Sequence, residues 1–159
     1  MQHIKVLILA FIFTFQCSYS HAQEASIHWI SFEQLEDALE LKPKKVFIDF
    51  YTDWCSYCKK MDKKVFTKAE VIEKINKEYY AVKMDAETQD SIRFDGQVFI
   101  NRQSSTRRPG IHDLALLLAN RNGQFAPPSM LIMSPEFKIL DRRFEYLYSE
   151  QLLEWLNRF

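Results

Sequence analysis

From Ser31 onward the apolar residues switch between helical and strand-like spacing, and the switches divide the chain into elements. Ser31 with Gln34 three residues on forms a capping box. Leu35, Leu39 and Leu41 then supply the apolar positions of a short helix closed by Lys42-Pro43-Lys44. Val46–Tyr51 is an apolar run of β-forming residues interrupted by Asp49, which predicts a buried strand. The spacing turns helical from Ser56 to about Lys64. Thr67 with Glu70 makes a second capping box and starts a helix reaching about Glu78, and Tyr79–Met84 is strand-like again. Asp85–Ile111 carries little periodicity, with Val98–Ile100 as a candidate short strand and Arg102–Gly110 as loop. Leu114–Asn120 predicts a short helix stopped by Asn122-Gly123. Met130–Met133 and Ile139–Phe144 read as strands joined by the turn Ser134-Pro135-Glu136. Ser149 caps a final amphipathic helix whose apolar side carries Leu152, Leu153, Trp155 and Leu156. Strands alternating with helices imply parallel pairing, and the late hairpin implies an antiparallel edge. The prediction is an α/β fold with a central mixed sheet flanked by helices.

The stretch before Ser31 reads differently. Lys5 precedes the apolar run Val6–Phe15, and a small, polar stretch ends at Ser20-His21-Ala22, the order of a secretory signal peptide cleaved near Ala22. The run is about half of the ~20 residues that span a bilayer. Residues 1–22 are therefore expected to be a signal peptide and 23–159 one domain of a periplasmic or otherwise exported protein. Cys17 admits a second reading as the lipid-modified cysteine of a lipoprotein, against which the bulky, polar Thr14-Phe15-Gln16 argues. Lys plus Arg equals Asp plus Glu at 21 each, so no bulk charge draws the protein to nucleic acid or a membrane surface.

With the leader removed, Cys55 and Cys58 are the remaining cysteines. A bridge over so short a separation closes almost no loop and gains little unfolded-state entropy, which argues against a stabilising role. Trp54-Cys55-Ser56-Tyr57-Cys58 falls at the predicted junction from buried strand to helix. Unpaired N–H groups and the macrodipole at a helix N-terminus favour an anion, so the Cys55 thiol is expected to ionise below the ordinary value of about 8.5. Cys58, a turn further in, is better shielded, and Lys59 and Lys60 add positive charge nearby. A zinc site would need two more ligands, and the domain offers His28 and His112, far apart and unpaired with any cysteine.

The segment from Val46 through Asp49, Trp54, Cys55 and Cys58 to Lys60 resembles the active-site segment of the thioredoxin superfamily. It is most similar to exported thioredoxin-like proteins related to the C-terminal domain of the bacterial thiol-disulfide interchange protein. Met61, Val65-Phe66 and Glu70-Val71-Ile72 continue the likeness, which covers Lys44–Asp85 well and Pro128–Phe159 by pattern. The resemblance implies a thioredoxin-like fold with an extended segment before a cis-proline strand. It implies Cys55 as the attacking cysteine, Cys58 as the resolving one, and Asp49 as a buried acid that moves the inner cysteine's proton. A carboxyl in an apolar strand has a raised pKa, which suits that role; a strand Asp bonded to nearby backbone is the plainer alternative. Lys83 falls where the family has a buried lysine paired with that acid. Trp54, Tyr57 and the expected cis-proline Pro128 are the implied substrate-binding residues. No organic cofactor or metal is implied. The implied partners are protein thiol or disulfide substrates and an upstream electron donor.

Two features depart from the family pattern. Pro127 stands where a residue normally offers its N–H to the substrate backbone, and proline has none. Ser91–Asn122 is longer than a plain thioredoxin needs and carries Arg93, Arg102, Arg107 and Arg108, read either as a solvated loop or, less plainly, as a partner-specific surface. The expected activity is thiol–disulfide exchange, in the reductive direction by likeness to a reductive relay domain. The alternative is a non-enzymatic thioredoxin-fold binding module using the Arg-bearing segment. A thiol peroxidase is disfavoured, because no Pro-x-x-x-Thr-x-x-Cys pocket precedes Cys55.

Overall fold

The computed structural model describes residues 26–106 and 109–159. The expected signal peptide, Cys17, Arg107 and Arg108 lie outside the described residues. No helix among those described is long and apolar enough to cross a membrane. The elements, in order, are β1 (Trp29–Ile30), α1 (Phe32–Leu41), β2 (Lys45–Tyr51), α2 (Ser56–Lys64), α3 (Ala69–Glu78), β3 (Tyr79–Asp85), β4 (Ile92–Phe94) and β5 (Gln97–Phe99). A 3-10 turn at Arg102–Ser105, α4 (Asp113–Leu118), β6 (Ser129–Met133), β7 (Ile139–Arg143) and α5 (Ser149–Leu156) complete the chain. The main sheet runs β1-β3-β2-β6-β7. Its first three strands are parallel, and β6 and β7 join antiparallel, giving the expected mixed sheet.

Alternation along β2 divides the core between the two faces of the sheet. Val46, Ile48 and Phe50 pack with Phe32 and Leu35 of α1 and Leu114 of α4. Phe47 packs on the other face with Met61 of α2, Ile75 of α3 and Trp155 of α5. All four β2 side chains are fully buried, each contributing on the order of 1.5–3 kcal/mol. The same alternation places Asp49 on the Phe47 face, under α2. This is the feature of the fold that matters most for the site.

Several local expectations change. The Ser31–Gln34 capping box is present, with both reciprocal bonds. The second box is not: Lys68 is the N-cap of α3, and the Thr67 hydroxyl donates back to Lys63 O at 3.1 Å, finishing α2 instead. Ser149 is the first residue of α5 rather than its cap; the Tyr148 N–H donates to Gln151 Oε1 at 2.9 Å one residue earlier. β1 carries no readable period because it is two residues long, held by parallel pairing to β3.

Among its described residues, Ser91–Asn122 carries a hairpin, a 3-10 turn and a short helix, more regular structure than its weak periodicity predicts. β4 and β5 form a hairpin through Asp95-Gly96, both at positive φ. Glu33 and Glu36 of α1 accept the backbone N–H groups of Arg93 and Asp95, docking the hairpin. Two buried polar side chains tie the rest to the loop after β3. Asn101 Nδ2 donates to Thr88 O at 3.1 Å and to Gly110 O at 2.8 Å. His112 Nδ1 accepts from the Leu114 N–H at 3.2 Å, while its Nε2 lies 3.2 Å from Asp90 O. Burial lowers the His112 pKa, consistent with the neutral ring that an accepting Nδ1 requires. Gly110 sits where a Cβ would meet Ser104 N at 2.5 Å and Gln103 C at 2.6 Å, both backbone atoms. Gly110→Ala is therefore expected to destabilise the protein by about 1–3 kcal/mol. An unchanged denaturant midpoint would show that the segment can relax around the methyl group.

Candidate active site

β2 ends at Tyr51, and Thr52-Asp53-Trp54 leads the chain into α2 with Cys55 as its N-cap. The Cys55 N–H donates to Thr52 O at 3.1 Å, and the Cys58 N–H donates to Cys55 Sγ at 3.0 Å. The sulfur of Cys55 thus occupies the position an anion takes at a helix start, which favours its thiolate once the pair is reduced. The two sulfurs are joined as a disulfide, and both cysteines are 4% exposed. Among the described residues, no three or more His, Cys, Asp or Glu side chains gather into a metal-holding group.

Parallel register sets Asp49 of β2 beside Lys83 of β3. Lys83 Nζ is 3.5 Å from Asp49 Oδ2 and also bonds Asp62 Oδ1 on α2. The rings of Tyr51, Trp29 and Phe66 stand 5.1–5.5 Å from the same ammonium, enclosing it. Asp49 is 2% exposed. Burial pushes its carboxyl up from 3.8 to about 6; Lys83 pulls it down, and Asp62 pushes it up. The result is an acid that changes charge near neutrality, facing a lysine rather than held by backbone alone. Asp62 is the residue that sequence reasoning missed. It lies four residues after Cys58, on the same face of α2, and that spacing was the available signal.

The other predicted residues have separate partners. Trp54 is 63% exposed and leans toward the loop after β3, its Nε1 donating to Glu87 Oε1 at 2.8 Å. Tyr57, also exposed, turns toward the segment between β7 and α5 and lies 5.9 Å from the Tyr146 ring. Pro127–Pro128 is a cis peptide, and Pro128 is buried immediately before β6. Ser129 pairs in register with Phe50, so the cis peptide lies at the end of the sheet where β2 runs on to Cys55. Of the arginines in the inserted segment, Arg102 is ion-paired with Asp113.

A mixed sheet with helices on both faces, a cysteine pair at the start of a helix and a cis-proline at the same sheet end define a thioredoxin-fold protein. The chain belongs to the thioredoxin-like domain family, whose model matches residues 32–159. The thiol:disulfide interchange protein DsbD of Actinobacillus pleuropneumoniae serotype 5b (strain L20) is 36% identical over 67 residues, covering 38% of this chain and 11% of that protein. The chain thus matches a small part of that relative's length. Among solved structures, a DsbH oxidoreductase superposes with a TM-score of 0.60 at 18% identity, covering 89% of this chain and 90% of the other. The reduced C-terminal domain of Neisseria meningitidis DsbD superposes with a TM-score of 0.52 at 18% identity, covering 79% and 90%. At such identities the likeness is one of fold.

Proposed function

We propose that this protein is an exported thiol–disulfide oxidoreductase that works as a disulfide reductase. The observation carrying the reading is the Cys55–Cys58 disulfide at the start of α2, with the Asp49–Lys83 pair on the sheet face beneath that helix. An upstream dithiol donor first reduces the pair. The Cys55 thiolate then attacks one sulfur of a client disulfide. A bond from Cys55 Sγ to that sulfur forms as the client's S–S bond breaks, and the departing client sulfur leaves as a thiolate and takes up a proton. Ionised Asp49 accepts the Cys58 proton, and the Cys58 thiolate attacks Cys55 Sγ. The intramolecular disulfide re-forms, and the second client sulfur leaves as a thiolate. Two electrons pass to the client, and the donor dithiol restores the starting state. Trp54, Tyr57 and Pro128 border the client in this reading.

The reductive direction is supported by likeness to the interchange protein, and the exported setting by the leader-like residues 1–22. Equilibration with glutathione redox buffers tests the direction. A potential at or below about −200 mV is expected of a reductant, and one near −120 mV, typical of a strong oxidant, would contradict it. The binding-module alternative draws on the arginines of the inserted segment, and the pairing of Arg102 with Asp113 weakens its support.

A further inference from the structure

His112 is fully buried, and none of the exchange steps uses it. Its Nδ1 accepts the Leu114 N–H at 3.2 Å, so the ring is neutral and carries its proton on Nε2. That second nitrogen lies 3.2 Å from Asp90 O, in the loop after β3, and donates to it. The His112 backbone N–H donates to Ala86 O at 2.8 Å in the same loop, and Asn101 Nδ2 reaches Thr88 O at 3.1 Å. On the other side, the Ala86 N–H donates to Tyr51 O at 2.8 Å, at the end of β2. The loop is thus clamped between the sheet and the inserted segment. Glu87 sits within the clamp. Its N–H donates to Asp85 Oδ1 at 2.9 Å, and its carboxylate takes the Trp54 indole N–H at 2.8 Å, fixing the exposed ring directly before Cys55.

The clamp depends on the charge of His112. A proton on Nδ1 occupies the lone pair that accepts the Leu114 N–H and turns that bond into two opposed N–H groups. The charges around the ring favour the cation: Asp113 at the start of α4 and Asp90 in the loop after β3, with Arg102 of the 3-10 turn already paired to Asp113. The loop's other carboxylates, Asp85 and Glu87, are engaged by the Glu87 N–H and by Trp54. β5 meets the ring with the Phe99 backbone, which bears no charge. Burial outweighs these groups and keeps the ring neutral below the ordinary 6.5. In stronger acid the proton binds best where the ring reaches water, so an opened clamp gains on the closed one.

We propose that neutral His112 is a positioning residue for Trp54. It fastens the loop after β3 to the inserted segment, and its protonation in mild acid opens that loop and frees the indole from Glu87. The consequence for turnover, loss of a fixed side chain bordering the client, rests on the oxidoreductase reading; the clamp itself does not.

The test follows the His112 ring, the Trp54 indole N–H and the Leu114 amide by NMR from about pH 7.5 to about pH 5, without substrate. Asp49→Asn protein is the background, because Asp49 itself changes charge at about 6. The His112 ring nitrogens are expected to take up a proton with a midpoint below 6.5. At the same midpoint the indole signal should move toward its position in a Glu87→Ala variant. The protection of the Leu114 amide against hydrogen exchange should fall at least about tenfold. His112→Asn, whose side-chain oxygen accepts the Leu114 N–H at every pH, is expected to hold both signals constant. A ring still neutral at the acid end of the range overturns the proposal. An indole that titrates unchanged in His112→Asn overturns it too. So does an indole that ignores the His112 midpoint, which would make His112 a structural residue only. The ring and indole midpoints are compared with His112 in place, so that comparison survives a His112→Asn chain that fails to fold. Absence of turnover by the wild type, with the His112 and Trp54 midpoints coinciding, would overturn the oxidoreductase reading and leave the positioning role standing.

Discussion

Replacing Cys55 by Ser is expected to bring dithiothreitol-driven reduction of a disulfide-bonded test protein down to the uncatalysed rate, while leaving the fold intact. Cys55 Sγ is the sulfur at the N-terminus of α2, accepting the Cys58 N–H, and a serine hydroxyl there stays protonated and cannot open a disulfide. The fold survives because the lost disulfide spans a sequence separation of 3 and constrains the unfolded chain very little. The unfolding midpoint, measured on the same preparations, separates lost chemistry from lost structure. Sustained turnover by Cys55→Ser would refute the assignment of the nucleophile.

Asp49→Asn is expected to have opposite effects on stability and on rate. The carboxyl ionises near 3.8 in the unfolded chain and at about 6 in the folded one. A folded-state pKa above the unfolded value means that folding costs more wherever the unfolded chain ionises first. Wild-type stability should therefore fall as pH rises from about 4 through about 6, then level off. The full shift corresponds to a penalty on the order of 3 kcal/mol above pH 6. Asp49→Asn removes that penalty. The variant should be more stable than wild type at pH 7 by up to that amount, with the gain vanishing below about pH 4. Exchange should slow in the same variant, because Asn cannot take the Cys58 proton, and the rise in rate through pH 6 should disappear. Denaturant curves at pH 4 and 7, with rates measured across that range, check both halves. A variant destabilised equally at both pH values would mean that Asp49 serves packing alone.

Much of this site was legible in the residues themselves, and what escaped has identifiable causes. The buried strand, the cysteine pair at its end and the single acid inside it stand out because an apolar run makes any polar residue conspicuous. The partnership of Asp49 with Lys83 was implied by the family resemblance alone, because it depends on the register of two parallel strands far apart in the chain, which local periodicity does not contain. Asp62 was hidden for a related reason: its role depends on α2 lying across the face that carries Lys83. Among the described residues of Ser91–Asn122, Asn101 and His112 meet backbone oxygens of the loop after β3 at Thr88 and Asp90, and Gly110 packs on the backbone of Gln103 and Ser104. Polar side chains that bond backbone look, in sequence, the same as those that face water. The capping boxes show the same limit on a smaller scale. Ser31–Gln34 and Thr67–Glu70 have equivalent spacing, yet the end of α2 lies close enough to claim the Thr67 hydroxyl.

The most direct test of the central claim is to trap the exchange itself. Cys58→Ser protein, reduced and mixed with a disulfide-bonded peptide, cannot resolve the intermediate, so one peptide should remain attached through a disulfide. Mass spectrometry is expected to find that single adduct on Cys55, removable by dithiothreitol and missing from a Cys55→Ser control. No adduct, or an adduct forming equally well without the Cys55 sulfur, would contradict the account.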